Sequence, residues 1–367
     1  MLKSNRLELR SVVTQRYIKN NSDMKYNVVE LFAGAGGLAL GLEEAGFKTK
    51  AMVEINKWAS KTLRTNRPHW NVIEGDITKI SQTGIQEYLT DVDEIDLLSG
   101  GYPCQSFSYA GNRQGMEDTR GTLFYDYAEI LKELKPKMFF AENVKGLVTH
   151  DKGRTLETMI KIFEEVGYVV QYKVLNSVEY GVAQKRQRII IIGVRNDIQE
   201  QINEVFEFPT PYKHKLVLKD VLQDVPSSLC AKYNDKKKEV LKHVKPGGCW
   251  RDLPDDVARE YMKTTYFMGG GRTGIARRLS WEEAGLTILC TPAQKQTERC
   301  HPDELRPFSV RENARIQSFP DSWIFEGSMA EQYKQIGNAV PVNLAKEVGL
   351  AIIKHLDKLK RVQSERV

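Results

Sequence analysis

Short apolar runs alternate with helix-period segments over the first half of the chain. NVVELFA (27–33), KAMVEI (50–55), EIDLLSG (94–100), KMFFAEN (137–143), VVQYKVL (169–175) and RIIIIGV (188–194) read as strands. Each is short, rich in β-branched or aromatic residues, and bounded by turn formers. Between them, LALGLEEAGF closes on Gly46, LFYDYAEILKELKP stops at Pro136 and TLETMIKIFEEVG closes on Gly167, with the Gly or Pro that ends a helix. Near-continuous apolar strands alternating with helices predict a mostly parallel sheet covered on both faces. After Val194 the alternation stops. Residues 200–305 carry clusters of Pro, Gly and Lys (FEFPTPYKHK, KPGGCW, MGGGRTG) and read as a second, looser domain. Order returns at Ser309, which stands in capping-box spacing with Glu312. PVNLAKEVGLAIIKHLDKLK then reads as one amphipathic helix that packs back on the sheet.

Composition narrows the class. A chain of 367 residues with 41% hydrophobic content can bury a large core and form two domains, or one with an insertion. No run approaches the length of apolar residues that spans a bilayer, and residues 1–26 are charged throughout with no apolar signal segment. The expectation is a cytoplasmic protein with no membrane partner. Five cysteines (104, 230, 249, 290, 300) form no CxxC pair, which predicts reduced thiols. Cys290, Cys300 and His301 fit no common zinc spacing, so no metal is expected. The net charge is +6, and residues 231–300 hold 14 Lys and Arg against 9 Asp and Glu. Such a surplus is the footprint of a phosphate-binding surface or simply a solvated basic face.

VVELFAGAGGLALG combines a strand, a glycine turn and a helix. Gly34, Gly36 and Ala39 satisfy G-x-G-x-x-G/A, and Glu54 ends the next strand 20 residues after Gly34, where an acid can bind a ribose diol. This much describes a nicotinamide dinucleotide pocket equally well. Asp76, in EGDIT at the following strand end, adds an acid within reach of an adenine amino group. Three such elements describe an adenosine pocket with no diphosphate requirement, which S-adenosylmethionine fits.

Cys104 lies in GGYPCQSFSY, a Gly-flanked loop after a strand, where open α/β sheets bind ligands. A thiol becomes a nucleophile beside positive charge. KMFFAENV brings Glu142 to the same edge, and AQKRQR brings Arg186 and Arg188. A thiol, a carboxyl and guanidiniums on neighbouring strand ends make a covalent site with an acid and an anion-orienting group. In the insert, Arg272, Arg277 and Arg278 of GGGRTGIARRLSW are candidates to read guanine edges or hold phosphates.

The stretches ELFAGAGG, Glu54, GDI, GGYPCQSFS, ENV, QKRQR, RPFSVRENARIQSFPDSW and GNAVPVNLA occur in an order that resembles the DNA (cytosine-5) methyltransferases, particularly the bacterial enzymes of restriction–modification systems. The resemblance implies an α/β, Rossmann-like S-adenosylmethionine-dependent methyltransferase domain from residues 1–198 plus 306–367, with a smaller, loop-rich target-recognition domain, 199–305, inserted. Its cofactor pocket would be Phe32, Gly34, Gly36, Gly37, Glu54, Ile55, Asp76 and Asn338, with Phe32 stacking on adenine. Ile55 departs from members that carry tryptophan after the ribose acid. Pro103 and Cys104 match the catalytic dipeptide, Glu142 the pyrimidine-binding acid, and Arg186 and Arg188 the paired arginines. Gln105 and Ser106 would approach DNA from the catalytic loop, Arg120, after that loop, would touch phosphate, and Thr287, of a Thr-Leu-like pair with Ile288, would approach DNA from the insert.

The implied chemistry is addition of the Cys104 thiolate at carbon 6 of a flipped-out cytosine. Protonated Glu142 would hold ring N3, Arg188 would hold O2, and methyl transfer to carbon 5 would leave S-adenosylhomocysteine. The partner would be a short double-stranded DNA site, the enzyme a monomer, and a cognate restriction endonuclease would be encoded nearby without necessarily binding. Eukaryotic RNA relatives carry a Cys-Phe-Thr run in the insert; none occurs here.

Overall fold

The computed structural model describes residues 26–89, 94–103, 122–268 and 271–365. Seven strands form the main sheet: β1 (Tyr26–Leu31), β2 (Phe47–Glu54), β3 (Val72–Glu74), β4 (Leu97–Gly100), β5 (Met138–Val144), β6 (Tyr168–Asn176) and β8 (Gln187–Arg195). A two-residue strand, β7 (Gln184–Lys185), precedes β8 and pairs in parallel with β9 (Gly285–Leu286) of the insert. The sheet order is β3-β2-β1-β4-β5-β8-β6. All neighbours from β3 to β5 run parallel, and β8 alone runs against its two neighbours. The predicted mostly parallel sheet is observed. β3 has no apolar run of its own: three half-exposed or exposed residues at the edge of the sheet leave little periodicity to read.

Alternate residues of each central strand enter opposite cores, as the two-residue pleat requires. Val29, Phe139 and Ile191 join a core under helices Leu123–Leu134 and Arg154–Glu165. Val28, Phe140 and Ile192 join the core on the other face, under helices Gly37–Ala45 and Val342–Glu365. Burial on both faces explains why these strands read as continuous apolar runs.

Helix Val342–Glu365 packs on Gly37–Ala45 at very short range. A Cβ on Gly41 would lie 2.5 Å from the Ala345 Cβ. The stretch Met329–Glu365 is long and apolar enough by length and composition to cross a bilayer, but 61% of its apolar window is buried within the fold. Ser309 and Glu312 make the predicted capping box.

The segment between the two halves of the sheet domain divides by packing. Ile202 and Phe206 belong to the core beneath Val342–Glu365, and Leu218 and Leu222 pack with Phe308, Phe319 and Trp323. The insert's own core draws on Tyr233, Leu241, Val244, Leu253, Tyr261, Ile275 and Cys300. Ile202, Phe206, Leu218 and Leu222 thus pack in cores that include sheet-domain residues, while a separate apolar centre draws on residues from Tyr233 onward.

Candidate active site

A cavity of about 740 Å³ opens where the parallel strands end. The reversal of β8 brings its first residues to this edge, so that Arg188 pairs in register with Val144 at the end of β5. Antiparallel entry thus delivers Arg186 and Arg188 to the carboxyl edge that the parallel strands supply.

At one end the glycine turn meets Glu54. The Glu54 carboxylate accepts the Gly34 amide at 2.7 Å through Oε2 and the Asn56 amide at 2.7 Å through Oε1. Burial raises its pKa, and these amide donors pull the other way. Phe32 lines the cavity and holds a left-handed backbone (φ 57°), a rare conformation for a bulky residue and of the kind found at ligand sites. Gly34 and Gly37 line the cavity, as do Ile55, largely exposed at its rim, Asp76 and Asn338. Asp76 also caps helix Ile77–Thr83, its Oδ1 accepting the Thr78 amide at 3.0 Å, and that amide lowers its pKa. Gly36 is not among the lining residues. Its α-carbon faces Leu63 and Trp323, and the Trp323 indole donates to the Ala35 carbonyl at 3.1 Å. The second glycine of the motif admits an aromatic anchor beneath the turn.

At the other end Glu142 and Arg188 form an ion pair, Oε1 to Nε 2.8 Å, both side chains largely buried. Glu142 Oε2 stands over Gly101, where a Cβ would come within 3.0 Å. Pro103 lines the same cavity. Cys104, Gln105, Ser106 and Arg120, expected at the catalytic loop and just after it, lie outside the described residues. Just before them, the Asn143 amide donates to the Tyr102 carbonyl at 2.9 Å. Asn143 escaped residue-by-residue assignment; its only sequence signal is its place beside Glu142 at a strand end.

Arg186 is 2% exposed and donates to the Gly337 carbonyl at 3.0 Å. Burial, then Arg188, push its pKa down to about 9. Around it a buried relay fastens the insert to the sheet domain. Gln184 accepts the Ile288 amide at 2.9 Å and donates to Gln317 at 2.8 Å, and Gln317 donates to the Ile336 carbonyl at 2.7 Å. Thr287 donates to the Lys185 carbonyl at 3.0 Å, and the Cys290 thiol donates to the Asn338 Oδ1 at 3.0 Å. Thr287 thus lies in the seam next to the arginines.

The insert's arginines separate by partner. Arg277 forks onto Glu283 at 2.7 and 2.8 Å. Arg278 donates to the Pro302 carbonyl at 2.9 Å and the Val244 carbonyl at 3.2 Å. Both guanidiniums tie the insert together. Arg272 is half-buried with a left-handed backbone (φ 43°) beside Gly271. Among the described residues no group of three or more His, Cys, Asp or Glu is placed to hold a metal ion.

A doubly covered, mostly parallel sheet with an acid-bearing glycine turn and a carboxyl–guanidinium pair on one cavity defines a nucleotide-cofactor enzyme of the α/β class. Residues 26–354 match the family of C-5 cytosine-specific DNA methylases, and the chain belongs to that family. It is 58% identical over 341 residues to the Type II methyltransferase M.Sau96I of Staphylococcus aureus, covering 93% of this chain and 78% of that protein. It is 53% identical to the Type II methyltransferase M.Eco47II of Escherichia coli, covering 93% and 82%. Among solved structures, the S. pombe Dnmt2 methyltransferase shares the fold with TM-score 0.61 and 16% identity, over 90% of this chain and 99% of that one. An E. coli prophage-encoded protein described as a DNA modification methyltransferase matches with TM-score 0.67 and 23% identity, over 91% and 100%.

Proposed function

We propose that this chain is the modification enzyme of a restriction–modification system. It methylates carbon 5 of one cytosine in a short double-stranded DNA site, from S-adenosylmethionine, through a covalent bond to Cys104. The observation that carries this reading is the Glu142–Arg188 pair, 2.8 Å apart, on the same cavity as the amide-anchored Glu54. A base-binding acid and a ribose-binding acid then face a single space.

The cavity's residues fit an adenosine-bearing donor. Each Glu54 oxygen accepts one backbone amide, and a carboxylate oxygen has capacity for a further donor, here a ribose hydroxyl. Phe32 supplies an aromatic face. When bound, the donor supplies an electrophilic sulfonium methyl group. The protein's own residues do the rest. The cytosine is flipped from the duplex, at a cost of a few kcal/mol recovered in pocket contacts. The Cys104 thiolate adds at carbon 6, Glu142 shares a proton with ring N3, and Arg188 holds O2, so that carbon 5 becomes nucleophilic. After carbon 5 is methylated, loss of its proton and departure of the thiolate from carbon 6 release 5-methylcytosine. Residues 199–305 read the DNA, with Arg272 the candidate for direct contact and Arg277 and Arg278 shaping the surface that presents it. The enzyme acts as a cytoplasmic monomer, with its cognate endonuclease encoded nearby.

The test is methyl transfer from labelled S-adenosylmethionine to duplex DNA, with tRNA and Cys104→Ala as controls. Label in duplex DNA, absent with Cys104→Ala, is expected, as is a denaturation-resistant adduct on DNA carrying 5-fluorocytosine at the target. Label in tRNA alone overturns the substrate, and full activity of Cys104→Ala overturns the covalent step.

A further inference from the structure

Glu30 is a charge-bearing group in the cavity for which the chemistry above has no use. It lies on β1 between Met52 of β2 and Ser99 of β4, is 1% exposed, and lines the cavity. Among the described residues neither of its carboxyl oxygens meets a hydrogen-bond partner, and the Ser99 hydroxyl is equally unpartnered. A buried carboxyl without partners is a costly anion. Burial pushes its pKa well above the ordinary range, outweighing the nearby Ala39 amide and Ser99 hydroxyl, and Glu54 on β2 adds to the rise.

Most of the other charged groups around this cavity already have engagements, although the Glu331 Oε2 is likewise unpartnered among the described residues. Glu142 is paired with Arg188, Glu54 accepts two amides, Asp76 caps a helix and Arg186 holds the Gly337 carbonyl. Glu331 and Lys334 line the cavity from helix Met329–Asn338, and Lys334 acts on Glu54. Glu30, more deeply buried than the half-buried Glu331 and with both oxygens unpartnered, is the cavity carboxyl whose charge can follow the ligand.

We propose that Glu30 makes cofactor binding proton-linked and charge-selective: its carboxyl is neutral in the empty cavity and releases its proton to solvent when a sulfonium methyl donor binds. The proposal rests on the reading of this cavity as the S-adenosylmethionine site. The donor carries a sulfonium and an ammonium against one carboxylate, a net positive charge. The thioether product has lost the sulfonium charge and is neutral overall. An ionised Glu30 favours the first over the second, so donor affinity rises with pH, by up to about tenfold per pH unit while the linkage operates. Product affinity stays nearly flat.

Isothermal titration of the full chain with S-adenosylmethionine and with S-adenosylhomocysteine, in buffers of different ionisation enthalpy near neutral pH, counts the protons. The expected result is release approaching about one proton per donor bound and close to none per thioether. Glu30→Gln abolishes the release and flattens the donor's pH profile. Equal release for the two ligands, no release with the donor, or unchanged release in Glu30→Gln overturns the proposal. The two wild-type titrations decide it even where the variant does not fold. Binding of both ligands without proton release leaves the cofactor reading standing and overturns Glu30 alone, whereas binding of neither overturns the cofactor reading and this proposal with it.

Discussion

Two glycines of the turn after β1 exclude side chains for different reasons, and alanine substitution separates the causes. At Gly34 a Cβ would meet nothing within 4 Å, but the backbone is left-handed at φ +55°. At Gly37, the first residue of its helix, a Cβ would lie 2.2 Å from the Val340 carbonyl oxygen, 3.2 Å from Phe319 and 3.3 Å from the Ala339 Cβ. Gly34→Ala should cost about 1–2 kcal/mol, the ordinary price of a left-handed alanine. Gly34→Asn should recover much of it, because asparagine tolerates that conformation. Gly37→Ala gains up to about 1 kcal/mol of helix propensity. It must also push back a backbone oxygen, and overpacking of this kind costs about 1–3 kcal/mol. At 2.2 Å the upper end applies, for a net loss of about 2 kcal/mol, and asparagine there should be worse than alanine. The displaced segment carries Asn338, Ala339 and Val340, all on the cavity wall, so Gly37→Ala should also weaken cofactor binding. Urea unfolding gives the stabilities and calorimetry the affinities. A Gly37→Ala protein as stable as wild type would refute the close approach, and equal losses for Ala and Asn at position 34 would refute the backbone explanation.

Glu54→Gln puts an amide nitrogen against one of two backbone N–H groups now held at 2.7 Å. Loss of a charge-assisted bond worth about 1.5–3 kcal/mol should lower cofactor affinity about 10- to 100-fold, read by calorimetry; undiminished affinity would remove Glu54 from the site. His355 is 2% exposed, neither ring nitrogen has a partner among the described residues, and burial, then Lys358, push its pKa from 6.5 down to about 4. The folded state keeps the ring neutral while the unfolded chain protonates it, so its stabilisation is complete above pH 6.5 and is lost as pH falls toward 4. Relative to pH 7, wild type should lose about 2 kcal/mol more at pH 5 than His355→Leu in urea titrations, and parallel losses would contradict this. For the Glu142–Arg188 pair, Glu142→Gln, Arg188→Ala and the double variant should fail to add in single-turnover rate, with a coupling of about 1–3 kcal/mol; additivity would mean that the two act separately.

The central strands were legible because burial on both faces turns each into a run of apolar residues, and the parallel topology followed from the helices between them. β3 and the β7–β9 pair were not, since strands of two or three residues carry no period. At the site, legibility tracked covalent distance. Glu54, Glu142 and Arg188 stand at the ends of readable strands, so their convergence could be anticipated. Gln184 and Gln317 are 133 positions apart, and nothing local distinguishes either from a surface glutamine. Arg277 and Arg278 show the opposite difficulty: a basic cluster beside glycines reads as a ligand surface, and nothing local announces that these guanidiniums also hold Glu283 and main-chain carbonyls. Charge counts record what a residue carries and not where that charge is spent.

The seam gives these hidden contacts a common purpose. Ile288 of the insert is held by Gln184, two residues before Arg186 and four before the arginine that grips Glu142. The Gly337 carbonyl takes the Arg186 guanidinium one residue before Asn338, on the cavity wall. A displacement of the insert at Thr287–Cys290 therefore meets the Glu142–Arg188 pair through one short strand and the cavity wall through one helix end. Buried hydrogen bonds resist such displacement steeply, because each broken bond strands a polar group away from water. A Gln317→Leu protein keeps nearly the same side-chain volume but leaves the Gln184 Nε2 without its acceptor and takes a donor from the Ile336 and Ala339 carbonyls. It should lose methylation rate and cofactor affinity together, although position 317 is absent from the cavity wall. A loss of folding stability with cofactor affinity and rate intact would reduce the seam to a structural fastening.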